Sequence, residues 1–225
     1  KLKSFYKNKK VFITGHTGFK GSWLVNTLLL FGSKVYGYSL NDENKKNYFN
    51  FCDHAKVKNI YGNILDQRKL EKSLKKINPE IIFHLAAQPI VSESYKNPKL
   101  TIETNLNGTL NLIECVRKLK KTKSIVIITS DKCYQNNEIF RGYKEDDRLG
   151  GDDPYSASKA AAEIIYNSYI KSKLLNLRKY GSFKILNIPL LKYRHHESSI
   201  SQTNLENQYE MVKKLRILQL PFPLS

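Results

Sequence analysis

Apolar residues fall along the chain in two alternating patterns. Short unbroken runs, Val11-Phe12-Ile13 and Ile125-Val126-Ile127-Ile128 among them, have the length and β-branched content of strands covered on both faces. Longer stretches carry apolar residues at helical spacing, such as Trp23, Leu24, Leu28 and Phe31, and later Leu106, Leu110, Ile113 and Val116. The pattern predicts strands over 9–14, 34–38, 57–61, 80–85 and 124–130. It predicts helices over 18–31, 66–77, 98–119 and 154–171, with polar loops over 39–55 and 131–153. Gly32 closes the first helix, Asp66 caps the second and Asn78-Pro79 stops it. Weaker signals suggest a sixth strand over 183–188 and an amphipathic helix over 203–218 with Leu205, Tyr209, Val212 and Leu215 aligned. Strands apolar throughout that alternate with helices make an α/β fold: a doubly wound parallel sheet with right-handed crossovers. Ligands of such a sheet sit at the carboxyl ends of its strands, here Thr14, Tyr38, Tyr61, Leu85 and Ser130.

The first of those ends carries Thr14-Gly15-His16-Thr17-Gly18-Phe19-Lys20-Gly21. Glycines spaced by three between a buried strand and a helix start are the parts of a dinucleotide site, so the sheet is read as Rossmann-like. Gly15 allows the tight turn, Gly18 the approach of backbone to a pyrophosphate, and Gly21 close packing of helix on strand. The N–H groups and dipole of the helix start face phosphate charge. A glycine-rich turn that binds nothing is the competing reading, and the flanking strand and helix weigh against it.

Composition narrows the picture. The chain has 225 residues, 38 basic and 20 acidic, for a net charge of +18. Only 7 of the basic residues are Arg, and the lysines are scattered rather than gathered in one stripe, which argues against a nucleic-acid partner. The densest groups, Lys7, Lys9 and Lys10, then Lys118, Lys120, Lys121 and Lys123, abut predicted strands and read as solvated element ends. Cys52, Cys115 and Cys133 form no framework, which fits reduced thiols and a cytoplasmic home. No run approaches the roughly 18 apolar residues of a membrane span. The first six residues lack the apolar core of a secretion signal. His195-His196-Glu197 has no further ligand at zinc-like spacing, so no metal is expected. His16 and His84, at strand ends, read as hydrogen-bonded structural residues rather than catalysts, and Cys133 as a packing residue.

The second chemical signal is Tyr155-Ser-Ala-Ser-Lys159. Tyr and Lys four apart share one helical face. An ammonium beside a phenol favours the phenolate, and such a tyrosine can take a hydroxyl proton while hydride leaves the same carbon. An incidental surface pair is the alternative; the dinucleotide turn upstream and the Thr129-Ser130-Asp131-Lys132 segment weigh against it.

Taken as a set, Gly15-His-Thr-Gly-Phe-Lys-Gly-Ser-Trp-Leu24, His84-Leu-Ala-Ala-Gln-Pro89, Asn105, Ile128-Thr-Ser-Asp-Lys-Cys-Tyr134 and Gly151-Asp-Asp-Pro-Tyr-Ser-Ala-Ser-Lys159 resemble one family. It is the extended short-chain dehydrogenase/reductases acting on nucleotide sugars, also called the NAD-dependent epimerase/dehydratase family. Within it the likeness is greatest to CDP-glucose 4,6-dehydratases, and it covers about residues 9–170. The resemblance implies a lyase that uses bound NAD and converts CDP-glucose to the 4-keto-6-deoxy sugar. Tyr155, assisted by Lys159, would take the 4-hydroxyl proton. Asp131 would protonate the departing C6 hydroxyl and Lys132 would serve at C5, a role requiring it neutral or relayed. Related dehydratases carry Asp-Glu where this chain has Asp131-Lys132. Ser130 or Thr129 would hydrogen-bond the sugar. The cofactor would be held by Gly15, Thr17, Gly18, Phe19, Lys20 and Gly21, by Leu85, Ala86, Ala87 and Gln88, and by Asn105, Thr129, Tyr155 and Lys159. Asn63 and Ile64 would serve the adenine side, Asn63 standing where the family often has Asp. Asp42, 21 residues beyond Gly21, is a candidate for the ribose; Lys45 and Lys46 leave NADP open.

Beyond Lys171 the resemblance fades, and the substrate-binding portion is largely missing. The expected organisation is a dinucleotide-binding domain over 1–190 and an atypical tail over 191–225, truncated or altered. Three readings follow: a sugar-nucleotide dehydratase, active or formerly so; a non-catalytic NAD-binding fragment or an interaction module derived from the enzyme; or another short-chain enzyme such as an epimerase or reductase. Asp131-Lys132 argues against the third, because an epimerase needs no elimination acid. A homodimer is compatible with all three.

Overall fold

A computed structural model describes residues 2–41, 49, 56–137, 141–144, 146–172 and 174–175. Five parallel strands form the sheet: β1 (Lys10–Thr14), β2 (Lys34–Ser39), β3 (Val57–Tyr61), β4 (Ile81–His84) and β5 (Ser124–Ile127). Their order is β3-β2-β1-β4-β5, so the chain reverses direction across the sheet between β1 and β4. Ligands of open α/β sheets sit outside the strand ends at such a reversal. The register sets Thr14 opposite both Tyr38 and His84.

The apolar runs are explained by double coverage. Val11 and Ile13 face α2 (Phe19–Leu30) and pack with Leu24, Val25 and Leu28. Phe12, between them, points to the other face and packs with Leu70 and Leu74 of α3 (Gln67–Ile77) and Leu112 and Ile113 of α6 (Gly108–Arg117). On α2 the expected apolar stripe is off at one position. Trp23 is 52% exposed, while Val25 is fully buried. A short α1 (Leu2–Tyr6), not expected from the sequence, seals this layer by packing Tyr6 on Phe31 with ring centroids 6.0 Å apart.

Helix α3 begins and ends where its signals predict. The Asp66 side chain accepts from Lys69 N–H at 3.0 Å, and Asn78 ends the helix in the left-handed conformation at φ 49°. Asp66→Ala is expected to cost about 1 kcal/mol of stability, read as a lower urea midpoint, whereas Asp66→Asn keeps the cap.

The expected helix over 98–119 is corrected. It is preceded by α4 (Val91–Lys96) and divided into α5 (Pro98–Ile102), a π turn (Glu103–Asn107) and α6. The wider π turn shifts the register of the inward face. Thr101, Asn105, Thr109, Leu112, Ile113 and Val116 are buried, while Leu106 and Leu110 are only half-buried. The last described helix, α7 (Pro154–Lys171), matches its prediction, with Pro154 in its first turn and Asp153 accepting from Ser156 N–H at 2.9 Å.

The expected sixth strand over 183–188, helix over 203–218, domain boundary near 190 and tail over 191–225 lie outside the described residues, as do Asp42, Lys45, Lys46, Cys52, His195, His196 and Glu197. Cys115 and Cys133 are buried free thiols. Among the described residues no helix is long and apolar enough to cross a membrane.

Candidate active site

The glycine turn is shaped by its own contacts. Gly15 has φ +70°, and a Cβ on it would stand 2.7 Å from Ala86 N, at the exit of β4. A Cβ on Gly21 would stand 2.2 Å from the Gly15 carbonyl oxygen and 2.8 Å from His16 Cα. These two glycines are demanded by packing within the protein. Gly18 differs: a Cβ there meets only the Gly15 oxygen, at 3.3 Å. It is exposed, and as the N-cap of α2 it offers no side chain to the helix start. An uncapped helix start behind an exposed glycine is a cradle for an anionic group, which fits the pyrophosphate of a dinucleotide. His16 is buried, as expected of a structural residue. Its Nε2 lies 3.0 Å from Asn59 Oδ1, and its ring fills the space a side chain at Gly37 would need.

The β4 exit forms the next wall. Leu85 N–H donates to the Thr14 carbonyl at 3.0 Å and Ala86 N–H to Thr14 Oγ1 at 3.2 Å. Gln88 N–H donates to Asn105 Oδ1 at 2.8 Å, and Asn105 Nδ2 donates to the Gln88 carbonyl and to Ser158 Oγ. The Asn105 amide is therefore spent inside the protein: it ties the Ala86–Gln88 loop to α7 and is not aimed at a ligand. This differs from the direct cofactor contact the resemblance implies.

At the end of β5 the chain turns through a short 3-10 segment, Asp131–Cys133. Ser130 Oγ donates to Asp131 Oδ1 at 3.1 Å and accepts from Lys132 N–H at 3.3 Å. Behind the turn, the buried Glu163 carboxylate accepts from Thr129 Oγ1 at 2.7 Å and from the Cys133 thiol at 3.3 Å, so Thr129 faces inward rather than toward the cleft. Burial holds the Asp131 carboxyl above the usual carboxylate range, against the pull of the Ser130 hydrogen bond and the Lys132 charge.

Tyr155 and Lys159 come together on α7, both buried. Their electrostatics correct one expectation. Burial raises the Tyr155 phenol, a hydrogen bond with Ser130 lowers it, and the Asp131 and Asp153 charges raise it further. The Lys159 ammonium donates instead to the Ile128 carbonyl at 3.3 Å. Burial, aided by repulsion from Lys20, depresses Lys159 to about 8. A lysine in this state has little cationic pull to spare for the phenol at alkaline pH. Lys20 is the residue whose place the sequence understated. It sits on the first turn of α2, and its charge acts on both Asp131 and Lys159, so the glycine turn and the Tyr-Lys pair face one cleft. Only its spacing within the glycine motif marked it; nothing in that spacing gave the side chain's direction.

Other candidates are less well placed. Asn63 turns its Oδ1 back to Leu65 N–H at 3.0 Å, and Ile64 is a core residue packed against Gly108. Phe19 is 75% exposed at the rim, and Thr17 is half-buried within the turn. Among the described residues no group of three or more His, Cys, Asp or Glu could hold a metal. A cavity of about 500 Å³ lined by Lys10, Lys34, Lys120, Lys121 and Lys123 around Glu80 lies at the amino ends of the strands, at the opposite edge from the cleft.

Comparisons with known proteins agree with this geometry. A family model described as GDP-mannose 4,6 dehydratase matches residues 12–203. The CDP-glucose 4,6-dehydratase of Salmonella typhimurium is 44% identical over 76% of this chain and 48% of its own, so the chain spans about half of that relative's length. An epimerase structure from Methanothermobacter thermautotrophicus shares the fold, with a TM-score of 0.68 at 24% identity over 76% of this chain and 50% of that one. The dTDP-glucose 4,6-dehydratase of Bacillus anthracis, solved in complex with NAD, superposes with a TM-score of 0.62 at 27% identity over 74% of this chain and 52% of that one. With its glycine turn, its strand order and its matched residues, the chain belongs to the GDP-mannose 4,6 dehydratase family.

Proposed function

We propose that the chain is the dinucleotide-binding and catalytic portion of a nucleotide-sugar 4,6-dehydratase, with CDP-glucose as substrate and NAD as the bound cofactor. The observation that carries this reading is the buried Tyr155–Lys159 pair set against the Ser130-Asp131-Lys132 turn at the carboxyl end of β5. The names of the Salmonella relative and of the NAD-bound Bacillus anthracis structure support the substrate and the cofactor.

Gly15, Gly18 and Gly21 with the α2 start would hold the pyrophosphate, and Ala86 to Gln88 the nicotinamide side. When bound, NAD supplies a hydride acceptor that later returns the hydride to the sugar. Tyr155 takes the proton of the 4-hydroxyl, and Ser130 orients both the phenol and the sugar. The 4-keto group acidifies C5. Asp131 then gives its proton to the departing C6 hydroxyl, and burial, which keeps it protonated to higher pH than a free carboxyl, suits it to that task. Lys132 serves at C5, where the role requires it to be neutral or to pass the C5 proton through a relay, and water leaves across C5–C6. An epimerase would need neither of these last two groups.

The test is incubation of the chain with NAD and CDP-glucose, reading the ultraviolet absorbance of a 4-keto-6-deoxy sugar after alkali. In Lys132→Met, NAD binding should persist while the 4-keto product disappears; unchanged turnover removes Lys132 from the mechanism. A second reading, a dinucleotide-binding unit without turnover, draws on the chain's spanning about half of its relative. NAD binding without product in the unaltered chain selects it.

A further inference from the structure

Beneath the cleft, where β1 and β4 meet the π turn, Thr14, His84 and Thr109 are buried in one polar chain. Thr109 Oγ1 lies 2.6 Å from the Asn105 carbonyl oxygen and 3.0 Å from His84 Nε2. A carbonyl can only accept, so the Thr109 hydroxyl proton goes to Asn105 and the Thr109 oxygen accepts from the ring. This puts a proton on Nε2. On the other side, His84 Nδ1 lies 2.6 Å from Thr14 Oγ1, which also accepts from Ala86 N–H at 3.2 Å. An imidazolium would donate from Nδ1 as well and leave the buried Thr14 hydroxyl proton with nowhere to go. A bare Nδ1 receives it. The donors then run in one direction: Ala86 N–H to Thr14, Thr14 to His84, His84 to Thr109, Thr109 to Asn105.

The chain continues to the catalytic helix. Asn105 Nδ2 donates to Ser158 Oγ at 2.9 Å, and Ser158 Oγ donates to the Tyr155 carbonyl at 2.7 Å. We infer that His84 is a positioning residue, fixed as the neutral Nε2–H tautomer, whose hydrogen bonds set the glycine turn and the Ala86 peptide against the π turn and, through it, against Tyr155. Only that tautomer serves both hydroxyls. Burial, aided by the charge of Lys159, the charged group that acts on the ring, holds the imidazole down to about 3, so the tautomer stays neutral throughout the working range. The positioning part of the inference rests on the dinucleotide reading of the cleft; the tautomer does not.

The test uses the full chain labelled with 15N-histidine, with the His84 signals assigned by their absence in His84→Gln. Two-bond nitrogen–proton correlations are expected to show Nε2–H and a bare Nδ1, unchanged between pH 7 and pH 5. An Nδ1–H pattern, or titration in that interval, overturns the inference. Calorimetry with NAD as the probe gives the second readout. Gln offers one acceptor and one donor at nearly the ring's separation, so His84→Gln should bind NAD within about threefold of the unaltered chain. His84→Leu, which leaves two buried hydroxyls unpaired, should bind about tenfold more weakly or worse. Equal binding by the Gln and Leu variants overturns the positioning role. If His84→Leu fails to fold, Thr109→Val supplies the check, because removing the acceptor of Nε2–H must change the ring's nitrogen shifts; unchanged shifts overturn the assigned direction. An unaltered chain that binds no NAD counts against the function proposed above, and the nitrogen spectrum still decides the tautomer.

Discussion

Gly21→Ala should break the dinucleotide turn outright. The new methyl would stand 2.2 Å from the Gly15 carbonyl oxygen and 2.8 Å from His16 Cα, both backbone atoms. Neither can swing aside as a side-chain tip would. Gly15 is itself pinned, at φ +70° and with no room for a Cβ before Ala86 N. The turn therefore cannot retreat, and α2 must move off the sheet, away from Val11, Ile13 and Val35. Overpacking of this kind costs about 1–3 kcal/mol and more where backbone is the obstacle. We expect a clearly lower denaturation midpoint together with loss of NAD binding. Gly18→Ala is the control: its Cβ would meet a single atom, the Gly15 oxygen at 3.3 Å, which needs a shift of only a few tenths of an ångström, so the midpoint should fall far less than in Gly21→Ala while affinity falls. A Gly21→Ala chain with an unchanged midpoint would contradict the packing described.

Lys159→Met is expected to have the other large effect, in two separable parts. Under the proposed mechanism, loss of Lys159 should reduce turnover by about 10²- to 10⁴-fold, the range for a group serving proton transfer. The second part needs no turnover. Burial brings Lys159 to about 8 in the fold from 10.5 unfolded, so the unfolded chain holds the proton more tightly. The cost of burying the charge is fully present below pH 8 and is relieved as the pH rises toward 10.5. Stability contributed through this group should rise across that window by at most about 3 kcal/mol. Lys159→Met lacks the rise. Measured as a difference between the two chains, the slope is free of Tyr6, Tyr38, Tyr166 and Cys115, whose raised values act in both. Parallel stability curves from pH 7 to pH 10 would mean that Lys159 is not held neutral by burial.

Much of this molecule could be read from its sequence because local signals and burial agree. Strands covered on both faces need an unbroken apolar run, and β1 has Val11-Phe12-Ile13, β4 Ile81-Ile82-Phe83 and β5 Ile125-Val126-Ile127. Helices α3 and α7 carry their caps in the sequence as Asp66 and Asp153. The reading failed where polar residues are buried. Thr101, Asn105 and Thr109 form the inward face around the π turn by hydrogen bonding, and a hydrophobic period is blind to that. The same holds at the site. The Tyr155–Lys159 spacing was legible, but the direction of the Lys159 ammonium, the reach of Lys20 and the inward turn of Thr129 depend on neighbours far along the chain.

The fit of His16 over Gly37 has a consequence for how such sequences can change. The imidazole lies where any side chain on that β2 residue would begin, with the ring 2.2 Å from the first added carbon. Position 37 can grow only in a lineage that has already shrunk position 16, and the two substitutions must be fixed in that order. Variation inside the glycine turn is thereby tied to a residue of the neighbouring strand.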